Sequence, residues 1–151
     1  MRLDAVQAAV LRVKLPHVPR WLAAREAAAK RYDALIEANQ LHGFLRRPAA
    51  RADRRHVFNQ YVVRVPAAHR DALVQHLKDN KVGVEIYYPL ALHQQECFAY
   101  LGYRAGDFPA AEAATREVLA LPMFPEVTEA QQARVLDVVA GYLRGRLRAA
   151  A

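Results

Sequence analysis

Apolar side chains at Leu3, Val6, Val10 and Val13 open the chain. Their spacing of three to four predicts one striped helix over residues 3–15. Asp4 falls in its first turn, where a negative charge suits the helix dipole. Pro16 and Pro19 are expected to end or kink this helix, because proline removes an amide donor and crowds the preceding turn. Helical patterning resumes at Trp21 and runs through LAAREAAAKRYDALIEANQL, with Glu26 and Lys30 in the favourable i,i+4 order. Gly43, after His42, is the expected stop. From Gly43 to Arg55 the pattern dissolves, and a long exposed loop is expected.

The period then changes. His56 to Val65 is rich in β-branched and aromatic residues and is closed by Pro66, which predicts a strand. Ala67 to Asn80 reads as a helix that buries Leu73, Val74 and Leu77. Val82, Val84, Ile86 and Tyr88 alternate with Gly83, Glu85 and Tyr87, predicting a half-buried second strand that ends at Pro89. Together these make a strand–helix–strand unit of the length a crossover needs. A short helix around Gln94–Leu101, a turn at Gly102–Asp107, a helix from Pro109 to Leu119 and an extended LPMFP piece follow. The last helix, Thr128 to Arg146, opens on a Thr128–Gln131 capping box. Helices outnumber strands, so the fold class is α/β, more narrowly α+β: a long N-terminal helix, then a small sheet covered by helices.

Composition narrows the field. With 151 residues, 54% hydrophobic and 25% charged, one globular domain is expected, burying about 70% of its unfolded surface. The single cysteine, Cys97, excludes an internal disulfide and Cys-rich zinc scaffolds. No apolar run reaches the roughly 18–20 residues of a membrane span. Asp4, Arg12 and Lys14 break any signal-peptide pattern, so a soluble cytoplasmic protein is expected. A net charge of +7 raises the question of nucleic acid. Much of the excess sits in Arg46-Arg47-Pro-Ala-Ala-Arg51-Ala-Asp53-Arg54-Arg55, which has no interleaved aromatics for base stacking. A solvated basic loop is the plain reading, contact with an anionic ligand or partner the next, and nucleic acid the last.

The chain carries few of the common catalytic and binding motifs. Lys14, Lys30, Lys78 and Lys81 sit in no Gly-rich turn, the common phosphate and hydrolase motifs are missing, and serine is absent from the chain. His69 and His76 can share a helix face, but no third ligand lies at metal spacing, so no metal site is expected. His93 and Cys97 form an i,i+4 pair that suits a nucleophile and its base. A small buried cysteine beside a partly exposed histidine is the favoured reading of those letters. What remains is Glu85-Ile-Tyr87-Tyr88-Pro89-Leu-Ala-Leu-His93-Gln-Gln95, which gathers hydrogen-bonding groups at a strand end. Ligands are commonly gripped there, and a tyrosine stacks on a ring while its hydroxyl reaches an oxygen. A simple alternation, Tyr87 outward and Tyr88 inward, fits equally well.

Several segments resemble one family. Arg2-Leu-Asp-Ala-Val-Gln-Ala-Ala-Val-Leu-Arg-Val-Lys-Leu15 is similar to the N-x-R-(L/M)-D-x-x-Q-A-A-x-L-x-x-K-L segment of the DegT-type sugar aminotransferases. His56-Val-Phe-Asn-Gln-Tyr-Val-Val-Arg64 resembles the first strand of their small domain, and Ile86-Tyr-Tyr-Pro-Leu-Ala-Leu-His-Gln-Gln95 their (H/Y)-Y-P-x-P-L-H-x-Q segment. Cys97-Phe-Ala-Tyr-Leu-Gly102, Phe108-Pro-Ala-Ala-Glu112 and Leu119-Ala-Leu-Pro-Met-Phe-Pro125 continue in the same order, so the resemblance covers essentially the whole chain.

The resemblance implies a fold-type-I, pyridoxal-phosphate-dependent enzyme that aminates keto groups on nucleotide-linked sugars, for polysaccharide or sugar-antibiotic biosynthesis. It implies an interdomain helical segment at 1–42, a basic loop at 43–55 and a C-terminal small domain at 56–151. In the family, the domain with the Schiff-base lysine, the acid for the pyridine nitrogen and the phosphate cradle lies upstream of this segment. The chain is therefore expected to be truncated before the catalytic half, to bind no cofactor by itself and to be inactive alone. No catalytic residue is carried over, and whether the chain is itself an enzyme stays open.

Tyr87 and Tyr88 match family residues that touch the nucleotide-sugar, and His93 matches the histidine of that segment. Arg2 matches the arginine of a loop that reaches the partner subunit's cofactor. Ala91 stands where a second proline is usual, which loosens the turn before His93. The implied partners are a nucleotide-linked sugar and either a second copy or an aminotransferase large domain, with no membrane. Without such a partner, Leu3, Val6, Val10 and Trp21 are expected to form an exposed apolar strip. Two other readings stand beside this one: a stand-alone nucleotide-sugar-binding or protein-interaction module, and a basic nucleic-acid-binding protein acting through Arg46–Arg55.

Overall fold

The computed structural model describes residues 3–149. Asp4 caps the first helix, α1 (Ala5–Lys14), its carboxylate accepting the Val6 and Gln7 amides at 2.9 and 3.3 Å. The prolines do not part it from the next helix. A 3-10 turn over Leu15–His17 leads directly into α2 (Val18–Ala38), with Pro19 in the first turn. A proline there gives up only a donor that has no helical partner anyway. The stop also differs from expectation. Helix α2 ends at Ala38, the Asn39 side chain donates back to the Leu35 carbonyl, and Gln40 rather than Gly43 takes the left-handed conformation at φ 55°.

The sheet is smaller than the sequence predicts. Strand β1 is Tyr61–Arg64, because the carbonyls of Phe58 and Asn59 just before it are captured by the Arg25 guanidinium at 3.3 and 2.9 Å. Helix α3 (Ala67–Asp79) follows, burying Leu73, Val74 and Leu77 as expected. The predicted strand at Val82–Tyr88 shrinks to one antiparallel bridge, Glu85 with Ala120. The first half of its partner strand, Val118 and Leu119, falls in the predicted end of a helix. Helix α4 (Pro109–Glu117) stops where strand β2 (Val118–Leu121) begins, since Pro122 turns its predecessors away from helix and Leu119 and Leu121 enter the core. Strand β2 pairs antiparallel with β1 from Tyr61↔Leu121 to Arg64↔Val118. It therefore lies between β1 and the Glu85 segment, and the crossover through α3 spans an intervening strand.

Helix α5 (Glu129–Ala149) starts at the predicted capping box: the Thr128 amide donates to Gln131 at 2.9 Å and the Gln131 amide to the Thr128 hydroxyl at 3.2 Å. One core collects Tyr32 and Ile36 of α2, Tyr61 and Val63 of β1, Leu77 of α3, Leu119 of β2 and Leu136 of α5. The architecture is α+β, as read. Two expectations about the surface change. Trp21 is half-buried and does not join the exposed strip of Leu3, Val6 and Val10. The 43–55 loop is less loose than expected, because Arg46 exchanges both backbone hydrogen bonds with Arg64. Its other cations find carboxylates: Arg47 on Glu37, Arg51 and Arg54 on Asp53, and Arg55 on Glu26, which displaces the expected Glu26–Lys30 pair.

Candidate functional site

Alternation along β1 and β2 sends Tyr61, Val63, Leu119 and Leu121 into the core, so Val62, Val118 and Ala120 face the other way. That second face forms the floor of a groove of about 450 Å³. Helix α4 supplies one wall through Ala111, Ala114 and Thr115, and the segment from Tyr87 to Leu92 supplies the other. The cleft stays open because Ala111, Ala114 and Ala120 are too small to fill it. Its polar groups are Gln60, Glu85, Thr115 and the two phenols, and no lysine or arginine lines it.

Tyr87 and Tyr88 meet at this groove, 51% and 64% exposed. The alternation that turns Tyr88 inward does not occur, because the chain leaves the sheet after the Glu85 bridge and Pro89 follows. His93 stands behind that wall. Its ring faces a second depression of about 400 Å³ with Phe98, Leu101, Tyr103 and Phe108, and Leu92 and Ala111 are common to both hollows. Its Nε2 lies 3.0 Å from Glu112 Oε1, both side chains about nine-tenths buried. The Gly106 amide donates to the same oxygen at 2.7 Å. That hydrogen bond holds the Glu112 carboxyl below its ordinary range; desolvation opposes the shift and His93 adds to it.

Other sequence candidates are dispersed. Cys97 is exposed rather than buried, with its Sγ 3.8 Å from Gln95, and His93 is committed to Glu112. The nucleophile–base pair therefore does not form. His69 hydrogen-bonds the Tyr142 hydroxyl at 3.1 Å and His76 packs on the same ring. Among the described residues no cluster has the makings of a metal site. Arg2 lies outside the described residues. Glu112 and Gly106 were missed in the sequence, although one acid in the alanine-rich Pro109–Ala114 run was a signal that something must pair with it.

Pyridoxal phosphate needs an amine, an acid for its ring nitrogen and a phosphate cradle in one cavity. The groove offers an acid, Glu85, without an amine or a cation. Lys81 lines a separate depression of about 210 Å³ whose other charged residue is Arg134. The residues here do not fit that cofactor.

Residues 1–140 match the DegT/DnrJ/EryC1/StrS aminotransferase family. The chain is 44% identical over 143 residues to the pleiotropic regulatory protein of Geobacillus stearothermophilus, covering 95% of this chain and 38% of the relative. It is 38% identical over 146 residues to the dTDP-3-amino-3,4,6-trideoxy-alpha-D-glucose transaminase of Micromonospora megalomicea subsp. nigra, with the same coverages of 95% and 38%. Among solved structures it is similar to S. venezuelae DesV in complex with a ketimine intermediate, at TM-score 0.85 and 32% identity over 93% of this chain and 37% of that one. The chain thus spans less than two-fifths of the length of these relatives. No described helix is long and apolar enough to cross a membrane.

Proposed function

This chain belongs to the DegT/DnrJ/EryC1/StrS aminotransferase family, and on that footing we propose that it is the C-terminal, small-domain part of a cytoplasmic, pyridoxal-phosphate-dependent aminotransferase of nucleotide-linked keto sugars. Residues 1–42 act as the interdomain helical segment, 43–55 as a basic loop and 56–151 as the small domain. A large domain brings the lysine and the phosphate cradle; this chain alone holds no cofactor and transfers no amino group. The exposed stripe of α1 is where that domain, or a second copy, packs. Its products serve polysaccharide or sugar-antibiotic biosynthesis.

One observation carries the reading: two exposed tyrosines wall an apolar, cation-free groove on the free face of the sheet. Apolar lining with a few convergent hydroxyls suits an uncharged ring, either base or sugar. Tyr87 and Tyr88 are the ligand contacts, and His93 stands in support behind them. The test is calorimetric titration of the 151-residue chain with dTDP-glucose as probe, repeated on Tyr87→Phe and Tyr88→Phe. Loss of one hydroxyl contact is expected to weaken binding about three- to tenfold. No saturable binding, or binding that neither substitution changes, overturns the assignment.

A second reading, a stand-alone nucleotide-sugar-binding or protein-interaction module, is favoured by the way α2, the sheet, α3 and α5 close one core within this chain. The size of the native polypeptide in its source cells separates the two. A band well above 17.0 kDa supports the enzyme part, and a 17.0 kDa band alone supports the module.

A further inference from the structure

Glu112 is a carboxylate in a helix that is otherwise alanine around it, and it is the charged residue among the buried side chains described. A buried charge is tolerated when it is paired and hydrogen-bonded. Its Oε1 meets both conditions, taking the Gly106 amide at 2.7 Å and facing His93 Nε2 at 3.0 Å. The two partners lie well apart along one strap, residues 87–108, whose internal structure is 3-10 turns at Leu92–Gln94 and Glu96–Leu101 and a turn at Arg104–Asp107. One oxygen therefore closes most of that strap onto α4.

The rest of the local geometry serves the same closure. Gly106 sits at φ 95°, a conformation that glycine adopts without strain and that aims its amide at Glu112. Phe108 packs on the His93 ring at 4.8 Å and Tyr103 packs on Phe108 at 4.9 Å, so the pair is shielded by the strap it holds. Between His93 and the tyrosines lie Pro89, Leu90, buried Ala91 and Leu92, and the Gln94 amide returns to the Ala91 carbonyl at 2.9 Å. Pro89 fixes one φ in that stretch and the Ala91–Gln94 turn restrains its end, which couples the fixed point to Tyr88.

We infer that Glu112 is a positioning residue of the tyrosine groove: through His93 and Gly106 it fixes the strap whose first residues are Tyr87 and Tyr88. This rests on the reading of that groove as the ligand site. Glu112 itself touches no ligand in this scheme, since it lies behind the wall.

Three variants of the 151-residue chain test it: Glu112→Ala, Glu112→Met and Glu112→Gln. Methionine keeps the volume without an acceptor, whereas glutamine keeps an acceptor without the charge. Loss of the acceptor is expected to speed exchange of the Gly106 amide by about tenfold or more in the Ala and Met variants. In both, the Tyr87 and Tyr88 ring resonances move toward random-coil positions and dTDP-glucose binding weakens in parallel, while unfolding stays cooperative. Glutamine restores most of each property. A Met variant that behaves as wild type assigns the effect to side-chain volume and overturns the inference, as do ring resonances unmoved in all three variants. Absence of dTDP-glucose binding in the wild-type chain overturns the proposed function, and the strap is then judged on the ring resonances alone. Wild-type binding that the Met variant leaves intact overturns this inference and spares the function.

Discussion

Tyr32 of α2 and Tyr61 of β1 stack with ring centroids 4.9 Å apart and 28° between their planes. Each phenol also has a polar anchor: Tyr32 donates to the Pro122 carbonyl at 2.8 Å and Tyr61 to Asp33 at 2.6 Å. The pair joins the long helix to both strands, because Pro122 follows β2 directly. Truncating either ring opens the middle of the core, so Tyr61→Ala is expected to cost about 3–5 kcal/mol. Tyr61→Phe, which loses only the hydroxyl, is expected to cost about 1–2 kcal/mol. Urea unfolding of the two variants measures both values.

The same phenols set an alkaline limit. Burial pushes both hydroxyls well above the ordinary phenol range, and for Tyr61 the hydrogen bond to Asp33 adds to it. The folded state therefore keeps protons that the unfolded chain releases above about pH 10. Their contribution is complete below that pH and is lost as pH rises further. Stability should fall through that window, and Tyr32 and Tyr61 should ionise only as the chain unfolds. Phenolate absorbance followed beside circular dichroism decides it; ionisation of all seven tyrosines ahead of unfolding would refute it.

Glu112 sets an acid limit of a different kind. Its folded carboxyl is held below its ordinary range by the Gly106 amide, so its contribution is present above about pH 4.3 and is lost as pH falls through the folded value. The strap is expected to loosen before the core does. An acid titration by NMR should show the Gly106 amide resonance moving upfield while core methyl resonances of Leu77 and Leu136 stay in place. Simultaneous loss of both sets would show that the strap has no separate transition.

Much of the fold was legible because helices announce themselves locally. The Leu73, Val74 and Leu77 face and the Thr128–Gln131 box depend on neighbours within one or two turns, and both stand as read. The start of strand β2 was not legible, since Val118 and Leu119 continue a helical pattern and become strand only against β1. The late start of β1 depends on Arg25, which reaches it from α2. The site divides the same way. Tyr87 and Tyr88 stand out at a strand end, but the groove floor unites Val62 and Ala120, and His93 finds Glu112 only after the strap has folded back. Residues that act across the sheet leave little trace in local periodicity.

Helix α1 buries none of its residues, and an isolated helix of ten residues is marginal in water. Its amides are therefore expected to exchange much faster than those of α2, although one continuous helical path joins them. Replacing Val6 and Val10 with lysine should change the unfolding free energy by no more than about 0.5 kcal/mol, since both side chains are exposed. Hydrogen exchange with mass-spectrometric readout and urea unfolding test the two halves. Strong protection of Val6 and Val10 amides in the dilute chain would mean that α1 is packed against something.

Gln132 is the opposite case, a fully buried polar side chain on α5. Its amide nitrogen donates to the Ala28 carbonyl at 2.8 Å, and its oxygen accepts from Arg31 at 2.7 Å. Arg31 also reaches the Val127 carbonyl at 3.2 Å, so one side chain ties α2 to α5 and to the turn before it. Gln132→Ala strands the Arg31 guanidinium beside a lost acceptor and leaves a void, with an expected cost of about 2–4 kcal/mol. Gln132→Leu fills the void but still orphans the Arg31 guanidinium, and should recover only part of that loss. The decisive comparison is Arg31→Ala alone against Arg31→Ala with Gln132→Leu. If the hydrogen bonds matter more than volume, the leucine costs clearly less once Arg31 has gone. Equal cost in both backgrounds would show that Gln132 acts by filling space.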